Sequence, residues 1–163
     1  MRRARGSSML ARLKAWWGKI RGPRDARQAR GVAGEKAAER FLRAKAGWKI
    51  VVRNWRSPRD RRDEIDLVCR DGEVLVFVEV KTRAAGALIG GYHAVDARKK
   101  RALRRATMAY LRALRDARPT TVRFDIVEVE WAGAAGDGGA GDGAKSQVRH
   151  FENVALWPRG LRW

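Results

Sequence analysis

Asp66, Glu79 and Lys81 are the residues whose types and spacing point most directly to chemistry in this 163-residue chain. Glu64-Ile-Asp-Leu-Val-Cys-Arg70 is followed by Asp71-Gly72 and then by Glu73-Val-Leu-Val-Phe-Val-Glu-Val-Lys81. Asp-Gly between two alternating runs predicts a hairpin, because a type I′ turn needs φ > 0 at both central residues. With Asp71 and Gly72 in those places, Arg70 faces Glu73, Asp66 faces Phe77 and Glu64 faces Glu79. Side chains alternate with period two, so Glu64, Asp66, Glu79 and Lys81 share one face. Ile65, Leu67, Val74, Val76, Val78 and Val80 fill the other. Asp66 and Glu79 become diagonal neighbours with α-carbons roughly 7–8 Å apart, a spacing at which two carboxylates can share a hard cation. Acids and lysines on a strand commonly form only a solvated face. Here the run Phe77–Lys81 continues a strongly apolar strand, and three acids on one face repel unless a cation or basic partner offsets them. A functional site is the stronger reading.

The elements that must hold these residues follow from periodicity and punctuation. Residues 1–24 form a basic extension. Its apolar residues Met9, Leu10, Leu13, Trp16, Trp17 and Ile20 recur at helical spacing, which fits a short amphipathic helix on a membrane or nucleic acid, or a weakly ordered tail. Residues 25–163 read as one domain. A helix is predicted over Arg27–Ala46 with Gly47 as its stop. A strand is predicted over Trp48–Trp55, then the hairpin, then a Gly/Ala-rich loop over Thr82–Gly91. A long helix spans Asp96–Ala117, very basic in its first half and ended by Pro119. Strands cover Val122–Trp131 and Gln147–Phe151, separated by a flexible low-complexity loop at 132–144. The class is α/β, with a mixed central sheet and the order α-β-β-β-α-β-β.

Net charge is +19 with 45% hydrophobic residues, so the chain has a core to bury and a surface that seeks polyanions, nucleic acid before anionic membrane. An Arg- and Ala-rich composition also reflects genomic base content, so charge alone does not establish binding. Cys69 is the sole cysteine and falls on the apolar face, as a core thiol in a reducing, cytoplasmic setting would. No apolar run reaches transmembrane length, and the N-terminus lacks the apolar core of a secretory signal. There is no GxxxxGK[ST] loop for nucleotide phosphates. His93 and His150 lack metal-ligand spacing; His93 reads as a loop residue and His150 as structural. Trp55, Trp157 and Trp163 read as packing residues before base-stacking ones.

The ordered series Gly34-Glu35, Gly47, Arg53-Asn54, Glu64-Ile-Asp-Leu-Val68, Phe77-Val-Glu-Val-Lys-Thr-Arg83, Lys99, Ala109-Tyr-Leu111, Arg123-Phe-Asp125 and His150…Asn153 resembles the YraN-like proteins. These are bacterial proteins with a restriction-endonuclease-like fold, similar to that of archaeal Holliday-junction resolvases. The resemblance spans residues 30–157. One departure is Asp63, where the family usually has glycine before the first acid of the strand. The resemblance implies a metal-dependent DNA endonuclease that hydrolyses phosphodiester bonds, with selectivity for branched DNA left open. By match, its catalytic residues are Glu35, Asp66, Glu79 and Lys81. Asp66 and Glu79 would hold Mg²⁺ or Mn²⁺, with the Val80 carbonyl as a further oxygen and Glu35 completing the set. Lys81 would orient or deprotonate the attacking water. Glu64 would join the ion's shell, or pair with Lys81 or an arginine. Helix-start charge complementarity is the bland account of Glu35. Lys99, Arg101, Arg104 and Arg105 are candidate DNA contacts, and Asp125 is a structural strand residue before a third ligand. The alternative is a nucleic-acid-binding or assembly protein of the same fold with little or no turnover. A homodimer is left open.

Overall fold

The computed structural model describes residues 26–84, 96–131 and 146–158. The order is α1 (Ala26–Arg43), β1 (Trp48–Arg56), β2 (Glu64–Asp71), β3 (Val74–Ala84), α2 (Ala97–Ala113), β4 (Val122–Trp131) and β5 (Ser146–Phe151), with a 3₁₀ turn at Arg115–Ala117 after α2. This reproduces the predicted succession of elements. Both helices end earlier than their apolar periodicity suggested. β3 runs on to Ala84, so Thr82 and Arg83 belong to a strand and not to a loop. The basic extension, His93, the Gly-rich loop and Trp163 lie outside the described residues.

The five strands form one mixed sheet in sequence order. β1–β2, β2–β3 and β4–β5 pair antiparallel, and β3–β4 pair parallel. Parallel neighbours need a crossover, which α2 supplies. β3 is central and paired along its whole length with β4, from Leu75 opposite Val122 to Ala84 opposite Trp131. That explains why its sequence is nearly continuous in apolar residues.

The sheet's two faces bury two cores, one under each helix. Ala37, Ala38 and Leu42 of α1 pack on Leu67, Cys69, Val76, Val78, Val80 and Val127. Leu103, Ala106, Tyr110 and Leu111 of α2 pack on Leu75, Phe77, Phe124 and Ile126. Burial pushes the Cys69 thiol up to about 12, so it stays a protonated core group. Trp55 and Trp157 also pack: Trp55 lies edge-on to Tyr110 with centroids 5.4 Å apart, and Trp157 lies against Phe77 at 6.2 Å.

The hairpin register differs from the expected one. Asp71 pairs with Val74, Arg70 with Leu75 and Leu67 with Val78. The turn residues are therefore Gly72 and Glu73. Only the first has positive φ, at +55°, the pattern of a type II′ turn. Asp71 stays in the ladder, and every cross-strand partner moves by two residues. A shift of two preserves the faces, so the acids keep their side, but Asp66 comes level with Glu79 instead of diagonal to it. Ile65 breaks the predicted alternation and packs in the α2-side core.

Two further features fix the frame. Asp96 caps α2, its Oδ1 accepting from Lys99 N at 2.7 Å. Asp125, fully buried, ties β5 and the following chain to β4. It accepts from His150 Nε2 at 2.9 Å, Asn153 N at 2.9 Å and Arg123 Nε at 3.0 Å. Burial opposes ionisation there, and these bonds outweigh it, holding the carboxyl below its usual range. Lys45 Nζ donates to His150 Nδ1 at 2.7 Å, which places the ring proton on Nε2. Asp125 and His150 thus serve the structural roles expected of them.

Gly34 is where α1 meets β3. A Cβ there would stand 1.9 Å from Thr82 Oγ1, a distance no packing tolerates. Gly34→Ala gains up to about 1 kcal/mol of helix propensity. It must also push α1 off the sheet at a cost of about 1–3 kcal/mol. The expected net result in urea unfolding is a less stable protein; equal or greater stability would mean that the helix does not approach so closely.

Candidate functional site

The β2–β3 ladder stops at Leu67–Val78. Beyond it the strands separate, and the Asp66 side chain fills the gap, its Oδ2 accepting the Val80 N–H at 2.7 Å. N–H and C=O of one strand residue point the same way, so the Val80 carbonyl faces that gap too. Burial, then the nearby Glu79 charge, raise the Asp66 carboxyl well above the ordinary range.

Glu79 is 2% exposed. Its Oε1 accepts from Lys81 Nζ at 2.8 Å and lies 3.0 Å from Lys99 Nζ. Its Oε2 is buried and has no hydrogen-bond partner among the described residues. Lys99 reaches this point from the first turn of α2. Although burial works against its charge, Glu79 and Asp66 raise its pKa. Two lysines therefore offset the acids that the sequence placed together.

Glu35 is the tenth residue of α1, too far from its start for helix-end charge to explain it. Burial raises its pKa, Glu64 and Glu79 add to the rise, and a hydrogen bond from the Asn54 side chain opposes it. Glu64 resolves onto one of its expected alternatives, an ion pair with Arg56 at 2.9 Å. Glu35, Asp66, Glu79, Lys81 and Lys99 are thus brought to one place from both helices and both hairpin strands.

The fit to a hard cation is mixed. Carboxylates and a carbonyl are the right donors for Mg²⁺ or Mn²⁺. The uncommitted Glu79 Oε2 and the destabilised charge on Asp66 are what a cation would satisfy. Against this, no three His, Cys, Asp or Glu side chains among the described residues stand close enough to share an ion.

The basic residues of α2 divide. Arg101 is exposed. Arg104 Nε donates to the Leu156 carbonyl, and Arg105 binds Asp63 through two bonds of 2.6 and 2.9 Å. Asp63, 5% exposed, is therefore the buried partner of Arg105. That pair explains how an acid is accommodated ahead of Glu64. Asn54, missed as a site residue, stands in β1 with φ +48°. Its signal was an asparagine inside a strand, a position the residue disfavours unless it turns left-handed.

Comparisons with known proteins follow the same residues. The profile of the uncharacterised protein family UPF0102 matches residues 34–129. A UPF0102 protein of Symbiobacterium thermophilum is 49% identical over 100 residues, 61% of this chain and 80% of the relative. One of Beutenbergia cavernae is 47% identical over 104 residues, 64% of this chain and 84% of the relative. One of Anaeromyxobacter dehalogenans is 41% identical over 130 residues, 80% of this chain and 86% of the relative.

Proposed function

Since the chain belongs to the uncharacterised protein family UPF0102, we propose a function from its site: a metal-dependent DNA endonuclease built on a restriction-endonuclease-like fold. The observation that carries this reading is the buried Glu79. Its Oε1 is held by Lys81 and Lys99, and its Oε2 is uncommitted beside Asp66. A binding surface for a polyanion has no use for buried acids facing its ligand, whereas phosphodiester hydrolysis does.

Asp66 and Glu79 would hold Mg²⁺ or Mn²⁺, with Glu35 joining them. When bound, the ion supplies Lewis acidity at the scissile phosphate and eases deprotonation of water. Lys81 orients the attacking water and offsets the charge that develops on the phosphate oxygens. Lys99 keeps Glu79 aimed and compensates the cluster between turnovers. Asp66, fixed by the Val80 N–H, presents its other oxygen to the gap between the strands. The net charge of +19 supports a nucleic-acid substrate, with exposed Arg98 and Arg101 on α2 as phosphate contacts. Arg104 and Arg105, committed to Leu156 and Asp63, serve the fold first.

A second reading, a nucleic-acid-binding or assembly protein without turnover, has one observation in its favour. The two lysines already neutralise Glu79, and no third acid closes on the pair. The deciding experiment titrates Mg²⁺ and Mn²⁺ into the protein with end-labelled linear duplex, branched junction, single-stranded DNA and RNA. Ion-dependent cleavage, abolished by chelator and fastest on DNA, is expected. Tight binding of these substrates with no cleavage at any ion concentration would leave the second reading standing and remove the first.

A further inference from the structure

We infer that Asn54 is a positioning residue. Its side-chain amide aims the Glu35 carboxylate at the cluster of Asp66 and Glu79, and the left-handed backbone at residue 54 exists to deliver that amide. The inference rests on the site reading above.

Three observations meet at this residue. First, Asn54 sits inside β1 at φ +48°. Strand residues lie near φ −140°, and a left-handed conformation costs an L-residue about 1–2 kcal/mol. Asparagine tolerates it better than most, but strain of this kind persists only where the surroundings hold it and commonly marks a functional position. The surroundings here do hold it. Trp55 is buried against Tyr110, and Arg53 is ion-paired with Glu39 of α1. Both neighbours of residue 54 are thereby pinned.

Second, the register places Asn54 beside the site. Arg53 pairs with Leu67 and Trp55 with Ile65, so residue 54 stands opposite Asp66. Third, the amide bonds Glu35. Glu35 and Glu39 are one turn apart on α1, and successive β1 residues bind them in turn, Asn54 to Glu35 and Arg53 to Glu39. The difference in donor chemistry is informative. Glu39, away from the cluster, receives a guanidinium. Glu35, beside it, receives a neutral amide, which holds the acid without adding a charge that would compete with a cation. Arg56, the nearby cation, is occupied by Glu64 at 2.9 Å.

The variants separate backbone from amide. Asn54→Gly keeps the left-handed conformation available and deletes the amide. A purely conformational role therefore predicts that it changes nothing but stability, and that stability holds or rises. A positioning role predicts more. Mn²⁺ affinity, measured by calorimetry, falls about tenfold, the scale for losing a residue that orients a ligand. The double variant Asn54→Gly/Glu35→Ala binds no more weakly than Glu35→Ala alone, since Asn54 acts through Glu35. In ¹⁵N spectra of the metal-free protein, the Asn54 side-chain amide pair, identified by its loss in Asn54→Gly, shifts when Glu35 is replaced by alanine. Wild-type Mn²⁺ affinity in Asn54→Gly alongside weakened binding in Glu35→Ala overturns the inference, as does an amide pair indifferent to Glu35→Ala. If the wild-type protein binds no Mn²⁺, the metal reading falls by itself, and the amide shift alone decides whether Asn54 holds Glu35.

Discussion

Lys81→Ala abolishes DNA cleavage, by about 10³-fold or more in single turnover, while DNA affinity stays within about threefold of wild type. The size follows from what the lysine is proposed to do. It acts on water and on charge that appears only in the transition state, so its loss lowers the chemical rate and leaves ground-state binding alone. The fold should survive, for a reason the structure supplies. Glu79 Oε1 is shared by Lys81 and Lys99, at 2.8 and 3.0 Å, so removing one lysine does not strand a buried carboxylate. Lys99→Ala is the natural companion. It too leaves Glu79 with one partner, yet it removes the lysine that reaches the site from α2 and not the one on the strand, and cleavage should fall less. Rapid-mixing cleavage of a labelled duplex with protein in excess reads both. A Lys81→Ala rate within about threefold of wild type would remove the lysine from the chemistry. A loss that tracks weaker DNA binding would make it a phosphate contact instead.

Much of this arrangement was legible in the sequence because two strong periodicities carry it. Alternation over Glu64–Arg70 and Glu73–Lys81 puts the acids on one side, and Thr82 on β3 receives Gly34 of α1, which brings Glu35 along. What alternation does not encode is which two residues turn the hairpin. Asp71-Gly72 and Gly72-Glu73 are both acceptable two-residue loops, and both give the same faces, so the pattern was blind to a shift of two. The glycine decided it, by supplying positive φ at the first central position alone. Long-range polar pairs were also hidden. Arg105 finds Asp63 across 42 positions, and His150 finds Asp125 across 25. Nothing local distinguishes Arg105 from the neighbouring arginines of α2. That is why three arginines assigned together to DNA separate into exposed Arg101 and two that hold the fold. Asn54 was hidden for a different reason. Its meaning lies in its φ, and a one-letter sequence shows that only as a mild anomaly in a strand.

Asp66 and Glu79 differ more in the structure than their common face implies, and a pair of substitutions exposes it. Asp66→Asn keeps an oxygen to accept the Val80 N–H and removes a charge that has no lysine on it. In metal-free protein it should be more stable than wild type at pH 7, by about 1–3 kcal/mol, the scale for relieving an ill-compensated buried polar group. The gain must depend on pH in one direction. The folded carboxyl ionises well above its usual range, through burial and then Glu79, while in the unfolded chain it ionises near about 4. Below that value both states hold the proton, and Asp66 carries no penalty. As pH rises from there toward the folded pKa, the unfolded chain releases its proton first, and stability is lost progressively. The advantage of Asp66→Asn should therefore be largest at neutral pH and vanish as pH falls to about 4. Glu79→Gln should do the opposite at neutral pH, because it leaves Lys81 and Lys99 facing each other with no anion between them. Both variants should lose Mn²⁺ binding by about 100-fold or more, since each deletes a proposed ligand. Urea unfolding at several pH values and calorimetric Mn²⁺ titration supply the readings. An Asp66→Asn protein no more stable than wild type at pH 7 would show that the strand gap does not penalise the charge. Undiminished Mn²⁺ affinity in both variants would mean that these carboxylates are not where the ion binds.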